Sequence, residues 1–547
     1  MSTHSNARRL AVVVAAATLL LASCGRADEA PTHNAQAAPH TPSGSPFVRM
    51  LDGSTDLGPA QGHSVELTVS LDGPSRPDAL LQWAASNHLS VDWRPGDRWA
   101  YITGSPADVG SAFGVTVHDY RGTDGHVFYA APQDPQVPPP VRGEVTEVGR
   151  ILSSAPLRTL RPLPFPRDVP EKGLTPTTLK KTYNATPLKV DGKGQTIVFF
   201  EFGKGLQKDY DLYAKQFKLP PLKPKIMGKE PDEADGETPM DLQIAHGIAP
   251  AAQKVIIYLP NPLGNRDWAK AMEAADSKYP GAVWSLSLGW GCDMIFNAAV
   301  LAPLQGAVQK AESHGTSVFI SAGDSGGYEC KAPGQPQPGM SEWFAPPLEG
   351  DIGLNSLSSI PEVTSVGGTT LSTDDSGAWA NEVGWAEYPT GIGTGGGVSN
   401  LYPRPDWQRD VPLAPDLTFN HQGVPDPASK RLTPDISAVA DSSTGAAFFM
   451  DGDGYMGGGT SQSAPIWAAL TVLMNQYLTE HDGHPIGAIN PLLYRAATGA
   501  KPAFHDVTVG GNIAYNSGTG FDLATGLGTP DTANLVDNIL DIQKAGG

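Results

Sequence analysis

Val318-Phe319-Ile320-Ser321-Ala322-Gly323-Asp324-Ser325-Gly326-Gly327 is a β-branched and aromatic run that ends in a glycine-rich turn carrying one carboxyl. The run reads as a strand buried on both faces, and the turn reads as its end. Thr196–Phe200, Lys254–Leu259 and Val283–Leu288 have the same character, and helix-like stretches separate them. This alternation predicts an α/β domain around a parallel sheet, expected over residues 175–547. Ligands of such sheets bind outside the carboxyl ends of the strands, which is where Asp324 falls. Aspartate is also common in turns for local reasons, so Asp324 gains meaning only from its company.

That company includes Gly457-Gly458-Gly459-Thr460-Ser461-Gln462-Ser463-Ala464-Pro465, where a glycine run meets an apolar, helix-like stretch beginning at Ile466. Glycine leaves room for a substrate, and the first-turn N–H groups of a helix point at developing negative charge. Ser461 reads as a nucleophile there, although a Ser/Thr-capped turn before a core helix has the same pattern. A nucleophile needs a base. The His-Gly-Thr-His and Asp-Thr-Gly segments of a subtilisin-type site do not occur, and His246 reads as a packing or capping residue at a helix end. Glu237 and Asp241, in Gly236-Glu237-Thr238-Pro239-Met240-Asp241, are spaced to share one helical face and therefore one proton. Thr238–Asp241 also fits a capping-box-like start with Pro239 at the first helical position. Glu237 would then lie just outside the helix, whose dipole would favour its ionised form.

Two further segments complete the pattern: Gly395-Gly396-Gly397-Val398-Ser399 running into Tyr402-Pro403-Arg404-Pro405, and Thr433-Pro434-Asp435-Ile436-Ser437-Ala438-Val439-Ala440. In this order the set resembles the sedolisin family, the serine-carboxyl peptidases, and in particular its kumamolisin-like members with a large activation domain. The resemblance covers nearly everything after about residue 60. It implies a subtilisin-like fold in which Ser461 attacks the scissile carbonyl, Glu237 takes its proton, Asp241 orients Glu237, and Asp324 donates to the oxyanion. Only a protonated carboxyl can donate, so this chemistry selects acidic pH. Glu201 matches a glutamate that in some relatives extends the hydrogen-bond chain toward the Trp of a Ser-Trp-Gly segment. Here Leu288 occupies that place, and whether Trp290 substitutes is left open. The resemblance also implies one structural Ca²⁺, held by side-chain oxygens of Asp506 and Asp522 and carbonyls of Val507, Gly518 and Gly520. Read without the family, these segments are a Gly/Asn/Asp loop, although a hard cation does want about 6 to 8 such oxygens.

The chain has 547 residues and a net charge of −19, which argues against nucleic-acid partners and against a basic membrane patch. Arg8-Arg9, the apolar run Leu10–Leu21 and Ala22-Ser23-Cys24 read as an export signal over residues 1–24. Leu21-Ala22-Ser23-Cys24 fits a bacterial lipobox that would lipidate Cys24; an ordinary secretory peptide is the alternative. Residues 25–60 read as a flexible tether and 157–174 as an exposed processing linker. Between them, 61–156 reads as a small α+β (ferredoxin-like) activation prodomain, with strands at Ser64–Leu71, Trp99–Thr103 and Val127–Ala130 and a helix at Asp78–Leu89. Lys204–Lys229 reads as a solvated face, since Leu206, Tyr210, Tyr213 and Phe217 recur at helical spacing between the lysines. Cys292 and Cys330 are free to pair in an exported context.

The expected protein is thus an exported, acid-active serine endopeptidase made as a self-processing proenzyme, with its prodomain as intramolecular inhibitor and proteins or peptides as substrates. The proform would be lipid-anchored at the cell surface and the mature domain extracellular. A catalytically silent surface binding protein with the same fold and a tripeptidyl-peptidase are the alternatives.

Overall fold

Thr196–Glu201 sends its side chains alternately into two apolar cores. Ile197 and Phe199 belong to one buried cluster, Val198 and Phe200 to the other. A strand of this kind needs helices on both faces, and the neighbouring strands impose the same requirement. The computed structural model describes residues 45–122, 125–154, 157–158, 173–260, 264–330, 352–387, 391–412 and 426–546. In it, Lys225–Met227, Gln253–Tyr258, Thr196–Glu201, Val283–Leu286, Ser317–Ser321 and Thr364–Thr373 lie side by side in that order, all parallel. Ile436–Val439 adds in parallel to Thr364–Thr373, and Trp379–Gly384 adds antiparallel. Helices Glu237–Ile248 and Thr460–Glu480 pack in the first core, Asn265–Lys278 and Ala298–Ser313 in the second. The expected α/β class holds.

The N-terminal unit runs strand, helix, strand, strand, helix, strand: Val65–Leu71, Asp78–Ser86, Ser90–Asp92, Trp99–Gly104, Pro106–Phe113 and Val145–Val148. Its sheet order places Trp99–Gly104 and Val65–Leu71 at the centre, Ser90–Asp92 and Val145–Val148 at the edges, all antiparallel. This is the ferredoxin-like arrangement. Its own core includes Val69, Leu80, Ile102 and Phe113.

Two expectations are corrected. Val127–Ala130 does not join this layer; it pairs in a separate sheet with His118–Arg121, which in turn pairs with Thr55–Pro59. The flexible-tether reading of 25–60 fails at its end, because Pro46–Asp52 is a helix and Thr55–Pro59 a strand. Ser45 caps that helix and Pro46 opens it, while Phe47 and Leu51, one turn apart, are buried in the second core. The Pro/Ser/Gly-rich composition concealed an i,i+4 apolar pair. The signal peptide with Cys24, the tether before residue 45 and linker residues 159–172 lie outside the described residues.

The N-terminal unit docks on the helices of the second core. Arg266 reaches Glu66 and Asp92, Arg94 reaches Glu273, and Asn297 Nδ2 donates to the Val148 carbonyl at 2.7 Å. From the linker, Leu157–Arg158 pairs antiparallel with Gly289–Trp290.

Candidate active site

Gly459, at φ 78° in the left-handed region that suits glycine, turns the chain into the helix Thr460–Glu480. Ser461 is thereby the second residue of a buried helix whose first N–H groups lack helical partners. Asp324, delivered by the end of strand Ser317–Ser321, supplies one: its Oδ1 accepts from Thr460 N at 2.7 Å and Thr460 Oγ1 at 2.8 Å. A carboxyl at a helix start is ordinarily held ionised. Here removal from water is the largest influence and pushes Asp324 up to about 7, the negative charges of Glu329 and Glu387 adding to it and the two bonds from Thr460 opposing it. Below about pH 7 it carries a proton and can donate. The glycine segment 395–397 closes over the same turn, with Gly395 N donating to the Gly323 carbonyl at 2.7 Å.

Glu237 is the first residue of Glu237–Ile248, inside the helix rather than before it, and Asp241 follows one turn on. The capping role expected of Thr238 belongs to Asp235, whose Oδ1 accepts from Thr238 N at 3.1 Å. Both Glu237 and Asp241 are buried. Burial holds Glu237 well above the usual carboxylate range, and the charges of Glu201, Asp235 and Asp324 push the same way. The expected stabilisation of an ionised Glu237 by the helix dipole is outweighed, since desolvation of a buried carboxyl is the larger effect. The Ser461 hydroxyl lies beside Glu237 and favours its ionised form, yet neither Glu237 oxygen completes a hydrogen bond. Catalytic hydrogen bonds are often loose until substrate binds. Asp241 is also raised well above its usual value, by burial first and then by Glu237; its contact with Ser287 Oγ, at 2.5 Å, opposes the rise to the extent that the hydroxyl donates.

Glu201 ends the strand Thr196–Glu201 and joins the cluster. Its Oε2 accepts from Thr238 Oγ1 at 3.2 Å, Oε1 is unpartnered, and burial, followed by the charge of Asp241, raises it. The Trp290 ring stacks on Phe296 at 4.8 Å and packs near Trp268. Leu288 is buried in the same core. His246 sits apart, its Nε2 2.8 Å from the Pro220 carbonyl, and burial lowers it to about 4. The Thr433–Ala440 segment serves the scaffold, because Asp435 is held by Arg431 at 2.7 and 3.0 Å and by Tyr494 Oη at 2.9 Å. Cys292 and Cys330 form a disulfide that ties the stretch after Gly289–Trp290 to the turn after Asp324.

Ser461, Glu237, Asp241 and Asp324 thus converge where strands Thr196–Glu201, Val283–Leu286 and Ser317–Ser321 end and two helices begin. Sequence reasoning missed Asp235, Thr460 and Ser287. Asp235 carries a legible N-cap signal three residues before Thr238, Thr460 adjoins the nucleophile, and Ser287 has no local signature.

Asp506 and Asp522 lie in one loop cluster, since Gly520 N donates to Asp506 Oδ2 at 2.9 Å and Gly518 N to Asp522 Oδ2 at 3.0 Å. Among the described residues no donor reaches the carbonyls of Val507, Gly518 or Gly520. Asp522 also accepts from Ala524 N, Thr525 N and Thr525 Oγ1, so a hard cation such as Ca²⁺ would find its ligand types here, carboxylates and unclaimed carbonyl oxygens of the same loops, with Asp522 already positioned by its neighbours.

Residues 66–153 match the family described as the pro-kumamolisin activation domain. Over 384 residues the chain is 31% identical to kumamolisin of Bacillus sp. (strain MN-32), covering 67% of this chain and 63% of the relative. Over 315 residues it is 32% identical to sedolisin of Pseudomonas sp. (strain 101), covering 55% and 49%. The chain therefore spans between about half and just under two thirds of the length of these curated relatives. Human tripeptidyl-peptidase 1 is 25% identical over 478 residues, covering 78% of this chain and 76% of the relative. The solved structure of Pseudomonas sedolisin, a serine-carboxyl proteinase complexed with two molecules of pseudo-iodotyrostatin, matches with TM-score 0.55 at 26% identity, covering 68% of this chain and 98% of that one. Parallel sheet, converging serine and carboxyls, and activation domain together make this chain a member of the sedolisin family, in its kumamolisin-like form.

Proposed function

We propose that the protein is an acid-active serine-carboxyl endopeptidase synthesised as a self-processing proenzyme. The observation that carries this is the split in character between two acids around one serine. Asp324, at about 7, is a neutral donor under acidic conditions, while Glu237 has bare oxygens beside Ser461. In the reaction, Ser461 Oγ would bond to the scissile carbonyl carbon as its proton passes to Glu237, and the electron pair displaced onto the carbonyl oxygen would meet the Asp324 proton. Glu237 would then return its proton to the leaving amine, and water would release the acyl group by the same steps. The pairing of Leu157–Arg158 with Gly289–Trp290 supports self-processing, because it adds these two residues as a strand just past Ser287, the extended form in which a peptide substrate adds to a sheet edge.

Asp506, Asp522 and the carbonyls of Val507, Gly518 and Gly520 would hold a structural Ca²⁺, which would brace the C-terminal loop rather than take part in the chemistry. An N-terminal signal with a lipid on Cys24 would put the proform at the cell surface, and cleavage in the linker would free the catalytic domain. A tripeptidyl-peptidase specificity is the second reading, favoured by the likeness to tripeptidyl-peptidase 1.

The test is acidification of the purified proform. Wild type should shorten at pH 4 and Ser461→Ala should remain full length, with activity toward peptides lost by a factor on the order of 10⁶. Processing of Ser461→Ala without other protease would refute the nucleophile; a silent wild type would point to a binding protein. Release of tripeptides alone from free N-termini would favour the second reading.

A further inference from the structure

One turn into the helix Thr460–Glu480 a backbone donor is missing. Residue 465 is proline, and the N–H an α-helix would aim from that position at the Ser461 carbonyl does not exist. The nucleophile's own carbonyl needs a substitute, and Ser287 provides it. Just beyond strand Val283–Leu286, its buried Oγ lies 2.9 Å from the Ser461 carbonyl oxygen and 2.5 Å from Asp241 Oδ2.

A hydroxyl has one proton to give. The carbonyl can only accept, so if Ser287 donates to it, the short contact to Asp241 requires the proton to sit on Asp241 Oδ2, with Ser287 Oγ accepting. Donation to an ionised Asp241 instead would leave a buried carbonyl unmet, which is the costlier arrangement. The titratable groups around Asp241 do not make this choice. Glu237 faces it from the same helix, Glu201 from the end of strand Thr196–Glu201 and Asp235 from the preceding turn, while Asp324 acts on Glu237 from the far side of Ser461. All are acids. What distinguishes the two is the hydroxyl each meets: Ser461, whose proton is free to turn to Glu237, and Ser287, whose proton is claimed by the Ser461 carbonyl.

We propose that Ser287 is a positioning residue that places the proton shared by Glu237 and Asp241 on Asp241, leaving Glu237 as the ionised base beside Ser461. This rests on the serine-carboxyl reading of the site. Proline at 465 is part of the device, since it reserves the Ser287 proton for the Ser461 carbonyl. During acyl transfer the Ser461 proton goes to Glu237 while Asp241 stays neutral, so the pair never holds two negative charges.

The experiment compares kcat/KM against pH for mature wild type, Ser287→Ala, Ser287→Thr and Pro465→Ala, all matured by tagged wild-type enzyme that is then removed. Without the Ser287 hydroxyl the proton divides between the two acids. The plateau of kcat/KM in Ser287→Ala should fall about twofold, the share of ionised Glu237 lost when the proton is divided evenly, and the alkaline limb should move to lower pH. Ser287→Thr should restore both. Pro465→Ala offers the Ser461 carbonyl a backbone N–H and frees Ser287 to donate to Asp241, so its plateau and alkaline limb should also fall, with no further loss when combined with Ser287→Ala. An unchanged profile in Ser287→Ala, or an alkaline limb moved upward, overturns the proposal. Should Ser287→Ala fail to fold, a wild-type profile in Pro465→Ala overturns it equally. Wild type inactive at every pH would sink the peptidase reading instead, a different failure.

Discussion

Glu382 and Glu237 are both buried glutamates of the same domain, and the fold furnishes them in opposite ways. Glu382 accepts from Tyr183 Oη at 3.1 Å, Thr369 Oγ1 at 2.8 Å, Trp379 Nε1 at 2.8 Å and the Thr529 hydroxyl. Glu237 accepts from nothing, although Ser461 stands beside it. Burial raises both, but donors on every side oppose the rise at Glu382, whereas neighbouring acids reinforce it at Glu237. Buried polar groups are nearly always satisfied, so a bare one is costly and calls for a reason. The saturated carboxyl fastens distant parts of the chain together. The bare one is held for bonds that form only during reaction, where interaction energy accelerates chemistry instead of stabilising the resting state.

The comparison breaks most sharply on a crossed pair of variants. Glu237→Gln removes the base and should lower kcat/KM by about 10²- to 10⁴-fold, with melting temperature unchanged or raised because a neutral amide replaces a buried ionisable carboxyl. Glu382→Gln turns one accepting oxygen into an NH2 that must donate, which Trp379 Nε1–H cannot receive and which the hydroxyls of Tyr183, Thr369 and Thr529 could receive only by turning round. It should cost about 1–3 kcal/mol of stability and leave kcat/KM nearly intact. Thermal melts and steady-state kinetics on both variants decide it; reversed effects would mean that satisfaction does not separate scaffold from chemistry here.

Asp324 sharpens the comparison, because it is partly furnished: Thr460 donates twice to one oxygen, and the other is left for substrate. Asp324→Ala should lose about 10²- to 10³-fold in kcat. Asp324→Asn keeps a donor that does not titrate. Its loss should be smaller, and the contribution of the Asp324 proton, lost near 7 as pH rises, should vanish from its alkaline limb. Identical profiles for wild type and Asn would remove Asp324 from the oxyanion role.

The strands were legible because runs such as Thr196–Glu201 lack a polar face, and that pattern has few structural solutions. Ser461, Glu237, Asp241 and Asp324 were legible as motifs, each beside a glycine or a helix start. Ser287 was not, since its importance comes from where strand Val283–Leu286 ends relative to a proline in a helix far along the chain. The helix Pro46–Asp52 escaped because composition averaged over the tether hid Phe47 and Leu51. The direction in which Glu237 titrates was also misread. The dipole of its helix is a local property visible in sequence, whereas the burial that overrides it belongs to the assembled fold.

The C-terminal loop extends the same logic to oxygens that are bare without being near the reaction. If the carbonyls of Val507, Gly518 and Gly520 await a cation, calcium should raise the melting temperature of Ser461→Ala proform, by about 2.7 kcal/mol of stability at 100 times the dissociation constant. Asp522→Ala should abolish the dependence. A metal-free sample whose melting temperature ignores added calcium would assign those oxygens to water.

The smallest expected effect is a slope. Glu201, Glu237 and Asp241 are raised well above their usual values, Asp293 to about 6, Asp324 to about 7 and Glu312 to about 8. In the unfolded chain such groups release their protons near pH 4. Between about pH 4 and 8 the folded protein therefore binds more protons than the unfolded one, so stability should be greatest in acid and decline as pH rises through this window. His246, lowered to about 4, opposes the decline only up to its ordinary value near 6.5, and Lys254, lowered to about 7, opposes it only above that. Six acids outweigh two histidines, His246 and the likewise lowered His505, in the window they share. Urea unfolding of Ser461→Ala proform at pH 4.5, 6 and 7.5 measures the slope, and Glu237→Gln in that background should make it shallower, since one raised group no longer titrates. A stability that climbs from pH 4.5 to 7.5 would mean that Glu201, Asp241, Asp293, Glu312 and Asp324 are ionised in the fold, and the contrast between Glu237 and Glu382 would lose its electrostatic basis.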